Sequence, residues 1–412
     1  MERRKPIDRN NVVVVGTGPG GLAPFVAADR QGHLQHIVDH GIILIDSGSR
    51  DNLGQGKLNR YQYPSNSGAT DLDPRLPEAS LLHHAVETPA YQRLLAMGDN
   101  PANLATDIAP ALGELGQAIG DLASKVHSKE IVQRIDQEGD IDDPTYWATT
   151  ASGLEIPAKH LIQATGATER MLSFLPDLGP VTTSGEIFSE GDGYDEAKKV
   201  LQDGGTINVY GASHSGLGLT AKLRTDLRED FNGKVRIYHK GPLKEYYQTE
   251  NEAREAGYSY AEDDVCPQSG KVNRFGGPRG DALAIARDVR DGREARVELI
   301  EVASFDELRG KANADLYVSA IGYDAAPIPV YRDGQEVGPK RDRGQVVFDP
   351  TTLQVVGGDG MILPNMYSVG LGSGIYPNGA IGEPSFRGNR IVSVNVMQGP
   401  DQGGIIAQRL AA

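Results

Sequence analysis

Two short glycine-rich stretches hold the residues of this chain best placed to do chemistry. The first, Gly16-Thr17-Gly18-Pro19-Gly20-Gly21, follows directly on Val12-Val13-Val14-Val15; the second, Gly211-Ala212-Ser213-His214-Ser215-Gly216, follows on Ile207-Asn208-Val209-Tyr210. A glycine-rich turn between a buried strand and a helix is suited to a pyrophosphate. Its first glycine makes the tight turn, the second lets backbone approach the phosphates, and the third lets the helix pack against the strand. Free N–H groups and the positive end of the helix dipole then face the anion. In the first stretch Gly16, Gly18 and Gly21 fill these roles, with Gly20 in the same loop. Residues 41–46 (Gly-Ile-Ile-Leu-Ile-Asp) read as a second buried strand ending in a carboxylate, where such folds hydrogen-bond a ribose hydroxyl, so Asp46 is assigned to the ribose. Two such turns imply an enzyme that holds two dinucleotides at once.

The second stretch differs in ways that bear on its ligand. Gly211 and Gly216 keep the outer positions, while Ser213 replaces the middle glycine and Ser215 precedes Gly216, so hydroxyls join amides as phosphate donors. The following strand, residues 234–240, ends in bases rather than an acid. Lys240, helped by His239 or Lys244, would attract a 2′-phosphate that a carboxylate would repel, which favours NADPH over NADH. The alternative is that these lysines only solvate a loop.

Composition bounds the rest. The chain has 412 residues, 39% of them hydrophobic, enough for two substantial domains. Its formal net charge of −15 would repel phosphate backbones, so nucleic acid is not an expected partner. No apolar run approaches a membrane span, and the Met-Glu-Arg-Arg-Lys start has no signal-peptide stretch, so a cytoplasmic protein without a membrane partner is expected. One cysteine, Cys266, cannot form the C-x-x-C pair of a disulfide reductase and reads as a bystander. His33, His36 and His40 approach one helical face, but no carboxylate or thiol set completes a site, and no metal is expected.

The elements that must position these residues alternate strand and helix. Leu112, Leu115, Ile119, Leu122 and Val126 fall at helical spacing and predict one amphipathic helix. Residues 131–156 alternate as an antiparallel excursion before a buried strand at 161–166. A Gly/Asp-rich segment, 190–194, leads into the second strand–turn–helix unit, which closes at residues 315–323. The last strand of the first unit is expected at 365–372 and a closing helix at 403–411. The expected fold class is α/β with two Rossmann-like dinucleotide-binding domains, the second inserted into the first: residues 1–175 and 326–412 form one and 176–325 the other.

The order of first glycine turn, Ala164-Thr165-Gly166, second turn as G-x-S-x-S-G, Ala320-Ile321-Gly322-Tyr323 and Tyr367-Ser368-Val369-Gly370 resembles that of the two-dinucleotide-binding flavoproteins. Within them it is most similar to the flavin-containing and N-hydroxylating monooxygenases. The resemblance spans nearly the whole chain and implies FAD at the Gly16 turn and NADPH at the Gly211 turn, with Gly166, Gly322 and Gly370 at cofactor-lining strand ends. It also implies a side-chain amide from Asn66 beside the flavin. An oxygenating flavoenzyme must keep water and protons from the activated ring, for which Asn66, Ser213 and His214 would supply donors. Gly403 and Gly404 would aim helix N–H groups at the flavin's electron-poor edge. Asn378 and Arg387, in loops after the last strand, are assigned to a small-molecule substrate. The family's F-x-G-x-x-x-H-x-x-x-W/Y/F fingerprint is absent; only Thr183-Ser184-Gly185-Glu186-Ile187-Phe188 falls near its place. Monooxygenation of nitrogen, sulfur or carbon is therefore read beside two alternatives, a reductase that passes electrons elsewhere and a non-catalytic FAD-binding protein. A homo-oligomer is left open.

Overall fold

The computed structural model describes residues 11–310, 313–342, 344–371, 382–385 and 402–411. Apolar β-branched runs that are buried on both faces make parallel strands, and the chain builds two five-stranded parallel sheets from them. The first has the order Met366–Ser368, His160–Gln163, Val12–Val15, Ile42–Asp46, Lys125–Ser128. Because side chains alternate along a strand, Val12 and Val14 face helices, packing with Leu22, Phe25, Val26, Leu115 and Ile119. Val13 and Val15 face the other way, onto Ile135, Tyr146 and Ala158. That second layer is the expected excursion: an antiparallel sheet of Val132–Gly139, Pro144–Thr150 and Glu155–Ala158. It is extended by Val330–Arg332 and Gln335–Gly338, strands the sequence reading did not separate.

One expected element is corrected. The amphipathic helix is Ala109–Leu122 and stops there; Val126 lies in strand Lys125–Ser128, opposite Leu44. Ser124 ends the helix by donating both its N–H and its hydroxyl to the carbonyl of Ile42, which draws the chain onto the sheet edge. The helical spacing of Val126 is coincidental.

The second sheet has the order Val181–Thr183, Leu316–Ser319, Thr206–Tyr210, Lys234–His239, Val297–Glu301, again all parallel. Helices Asp192–Gln202, His214–Leu227 and Gly280–Arg290 pack around it. In sequence its strands fall between His160–Gln163 and Met366–Ser368 of the first sheet. The outgoing and returning chains pair as an antiparallel ribbon, Ala167–Glu169 with Tyr323–Ala325. Arg170 binds Asp324 across it, at 2.6 and 2.9 Å. Among the described residues no helix is long and apolar enough to cross a membrane.

Candidate functional site

Gly16 has φ +91°, and a Cβ there would collide with the carbonyl oxygen of Ala164 on the neighbouring strand end. Gly21 is equally constrained, since its Cβ would drive into the carbonyl of Gly16, and a Cβ on Gly20 would lie 2.8 Å from Gly370 Cα. These glycines are demanded by the protein's own packing. Gly18 is not: a Cβ there would meet only Gly56, at 3.4 Å, an ordinary contact. Gly18 caps helix Pro19–Arg30 in an extended conformation, with Pro19 at the first helical position. Gly21 N–H turns back to the Gly18 carbonyl at 2.9 Å. A glycine that internal packing does not require, at a helix N-terminus, fits a group outside the chain that approaches the backbone, as a pyrophosphate does.

Asp46 ends strand Ile42–Asp46 as expected, and its carboxylate organises the turn. It accepts from Thr17 N–H at 2.7 Å and Thr17 Oγ at 2.6 Å through one oxygen, and from Gly48 N–H at 2.7 Å through the other. A carboxylate has acceptor capacity beyond these bonds, so a ribose hydroxyl remains compatible with it. Thr17 was not singled out from sequence.

The second turn repeats the packing of the first. Gly211 has φ +109° and abuts the Ala320 carbonyl as Gly16 abuts Ala164; a Cβ on Gly216 would strike the Gly211 carbonyl as one on Gly21 would strike that of Gly16. Gly16 N–H bonds Ile45 and Gly211 N–H bonds Tyr238, both at 2.8 Å. Ser213 caps helix His214–Leu227 in the extended conformation of Gly18, and Ser215 lies half-buried in its first turn. Beyond the next strand, Lys240 is exposed, its ammonium 5.2 Å from the Phe305 ring centre. Lys244 is engaged elsewhere, with Asp264 at 2.9 Å and Ser385 at 2.7 Å, and the His239 ring bonds the Gly241 carbonyl. Of the three bases, Lys240 is the exposed one.

Gly166 and Gly322, both with positive φ and open space where a Cβ would go, end the strand exits on which the two turns rest. Gly370 packs on Gly20. Gly403 and Gly404 open helix Gln402–Leu410, but Gly404 lies against Gln31, past the far end of Pro19–Arg30. At 1.5 Å per residue that is roughly 18 Å along the helix from Gly18, so the structure does not gather these glycines with the turn. Asn378 and Arg387 lie outside the described residues. Among the described residues no group of three or more His, Cys, Asp or Glu is arranged to hold a metal.

Asn66 falls in strand Pro64–Gly68, which pairs with Pro101–Asn103 through an irregular register: Pro64 faces Asn103 and Gly68 faces Pro101. Bulges of this kind re-aim side chains and recur beside active sites. The strand runs to the second turn, where the His214 ring nitrogen Nε2 lies 3.1 Å from the Pro64 carbonyl. The structure thus brings His214 and the Asn66 strand together.

Sequence reasoning missed a third contributor. Residues 240–279, between strand Lys234–His239 and helix Gly280–Arg290, reach across to the first unit. Lys271 and Gln248 bind Asp99 at 2.9 and 2.8 Å. Hydrogen bonds from Thr70, Lys271 and Gln248 hold the Asp99 carboxyl below its usual range. Glu383 is buried and accepts from the N–H groups of Phe275 and Gly276, and its burial raises its pKa. Cys266 is buried here, with Arg274 donating to its sulfur at 3.6 Å. No periodicity or motif marks the bonds to Asp99 from Lys271 and Gln248 or those to Glu383, because each joins residues more than a hundred positions apart.

No protein-family model matches the chain. It is 29% identical over 437 aligned residues, covering 97% of both chains, to a CMP-5′-(3-aminopropyl)phosphonate hydroxylase of Streptomyces rubellomurinus. Among solved structures it is similar to the ornithine hydroxylase of Pseudomonas aeruginosa, with TM-score 0.59, 13% identity and coverage of 97% of this chain and 98% of that one. It is likewise similar to the ornithine N-hydroxylase of Kutzneria sp. 744, solved with reduced FAD, NADP⁺ and L-ornithine, with TM-score 0.58, 14% identity and the same coverage. A flavin-containing monooxygenase of Stenotrophomonas maltophilia follows at TM-score 0.53 and 16% identity, covering 94% of this chain and 96% of that one. The chain has the fold of these flavin monooxygenases over nearly its whole length.

Proposed function

We propose that this protein is an FAD-dependent, NADPH-using monooxygenase that hydroxylates the nitrogen of a primary amine on a small, short-chain substrate. Residues 1–175 and 326–412 form the FAD domain and the inserted residues 176–325 the NADPH domain, in a cytoplasmic enzyme. The observation that carries the reading is the pair of turns with matching contacts, each at the carboxyl end of the central strand of its own parallel sheet, where such folds bind dinucleotides. Oxygenation is supported by the full-length similarity to a hydroxylase, and nitrogen by the aminopropyl and ornithine named in the relatives' substrates.

FAD, when bound, accepts hydride from NADPH and activates oxygen. The chain's own residues do the rest. Gly18 leaves the backbone open to the FAD pyrophosphate, and Asp46, through Thr17, fixes the turn while offering a ribose acceptor. Ser213, Ser215 and the Gly216 turn take the NADPH pyrophosphate, and Lys240 its 2′-phosphate. His214, at the second turn, meets the strand that carries Asn66, and both are assigned to the reacting region. The test is the balance of a turnover: with a short-chain primary amine, each NADPH and each O₂ consumed should yield one hydroxylamine and little peroxide. NADPH consumption that delivers electrons to a dye without oxygen insertion would make the protein a reductase.

A further inference from the structure

Tyr63 belongs to the first unit by sequence, yet its ring lies in the hydrophobic core of the second, among Phe188, Leu217, Leu219 and Ala282. It is 5% exposed. It stacks on Phe188, with ring centres 4.7 Å apart, and meets the His214 ring at 5.4 Å. The receiving surface is Gly218, inside helix His214–Leu227, where a Cβ would come within 2.6 Å of Tyr63 Cε1, Cζ and the hydroxyl oxygen. Glycine inside a helix costs about 1 kcal/mol relative to alanine, and the hole it leaves for this ring accounts for its presence.

The backbone around Tyr63 is tied on both sides. Gln62 N–H donates to the Phe188 carbonyl at 2.8 Å, reaching the second unit, and the Tyr63 carbonyl accepts from Leu104 N–H at 3.0 Å, beside the partner strand Pro101–Asn103. The next residue, Pro64, offers its carbonyl to His214. One aromatic side chain therefore joins the helix that opens on the second glycine turn to the bulged strand bearing Asn66.

We propose that Tyr63 is a positioning residue: seated in the Gly218 hole, it locks strand Pro64–Gly68 to helix His214–Leu227, so that a nicotinamide dinucleotide on the second turn sets where that strand stands against the flavin. The inference rests on the cofactor assignment above. A shift of about 1 Å at a reacting site can cost on the order of a hundredfold in rate, so small rotations of this ring matter.

The test is amide hydrogen exchange on FAD-loaded protein with and without NADP⁺, read beside the fraction of NADPH electrons recovered in product. In the parent protein NADP⁺ should slow exchange over residues 211–219 and also over 62–68 and 101–104. Gly218→Ala, which crowds the ring, and Tyr63→Leu, which removes it without crowding the helix, should keep the first protection and lose the second. Both should divert electrons from product to peroxide by roughly tenfold with FAD content unchanged, while Tyr63→Phe should behave as the parent. On a Tyr63→Leu background Gly218→Ala should add nothing. The inference is overturned if NADP⁺ gives the parent no protection at 62–68 and 101–104, or if the effects of Gly218→Ala and Tyr63→Leu simply add. If the protection is transmitted but no oxygenated product forms, positioning stands and the oxygenase reading fails.

Discussion

The two glycine turns are alike where the protein packs against itself and differ where it would meet a ligand. Gly16 and Gly211 press on the carbonyls of Ala164 and Ala320, and Gly21 and Gly216 fold back on Gly16 and Gly211. The third position of the turn is Gly18 in one, where packing leaves room for a Cβ, and Ser213 in the other. The strand ends diverge too, to Asp46 bound into its turn in the first and an exposed Lys240 in the second. Residues fixed by steric necessity recur in both units, and the positions that differ, Gly18 against Ser213 and Asp46 against Lys240, are those proposed to meet different dinucleotides.

The largest expected effect separates these classes. Gly16→Val or Gly211→Val forces a branched side chain into a neighbouring carbonyl at positive φ. Each should cost on the order of 4 kcal/mol or more and leave little folded protein, as read by thermal unfolding. Gly18→Val should instead give an apoprotein that melts within a few degrees of the parent but does not retain FAD. A yellow, stoichiometric Gly18→Val protein would break the distinction.

A second asymmetry lies in the strands beside the turns. His160 pairs with Val12 as Leu316 pairs with Ile207, so only the first unit places an imidazole there. Burial, reinforced by Lys159 and His40, lowers the His160 pKa from 6.5 to about 4. The depressed folded value means the unfolded chain binds the proton more readily. Stability is then fully present above about pH 6.5 and is lost as pH falls towards 4, a difference of about 3 kcal/mol. Denaturant midpoints across this range should show the slope, and His160→Gln should flatten it.

Lys240→Glu should change only the second turn. Charge-assisted hydrogen bonds are worth about 1.5–3 kcal/mol, so the NADPH needed to reduce the flavin should rise ten- to a hundredfold while the NADH requirement stays put. Equal use of both nucleotides by the parent would remove the basic strand end from the account. Smallest in binding terms is Asn66→Leu, which should spare FAD content and flavin reduction yet send oxygen to peroxide. If neither changes, Asn66 is a turn residue satisfying its own backbone.

How far the sequence could be read follows from the range of each interaction. Both turns, their strands and Asp46 were legible because strand, turn and helix are contiguous and glycine has few other reasons to be there. Val126 misled because a helical interval continued by chance past the residue where Ser124 leaves the helix. Tyr63, Gly218, Asp99 and Glu383 were not legible, since their roles depend on which distant surface arrives opposite them. In hindsight the glycine inside helix His214–Leu227 was a signal that something fills its place, though not what.

The proposed role of the two turns is to hold FAD and NADPH together for oxygen insertion. Its most direct test is to reduce the FAD-loaded protein with one equivalent of NADPH without oxygen, then admit isotopically labelled O₂ with a short-chain primary amine. NADPH should bleach the flavin, and one labelled oxygen atom should then appear in the hydroxylamine for each flavin reoxidised. Reduction followed by labelled peroxide alone, with unmodified amine, would contradict it.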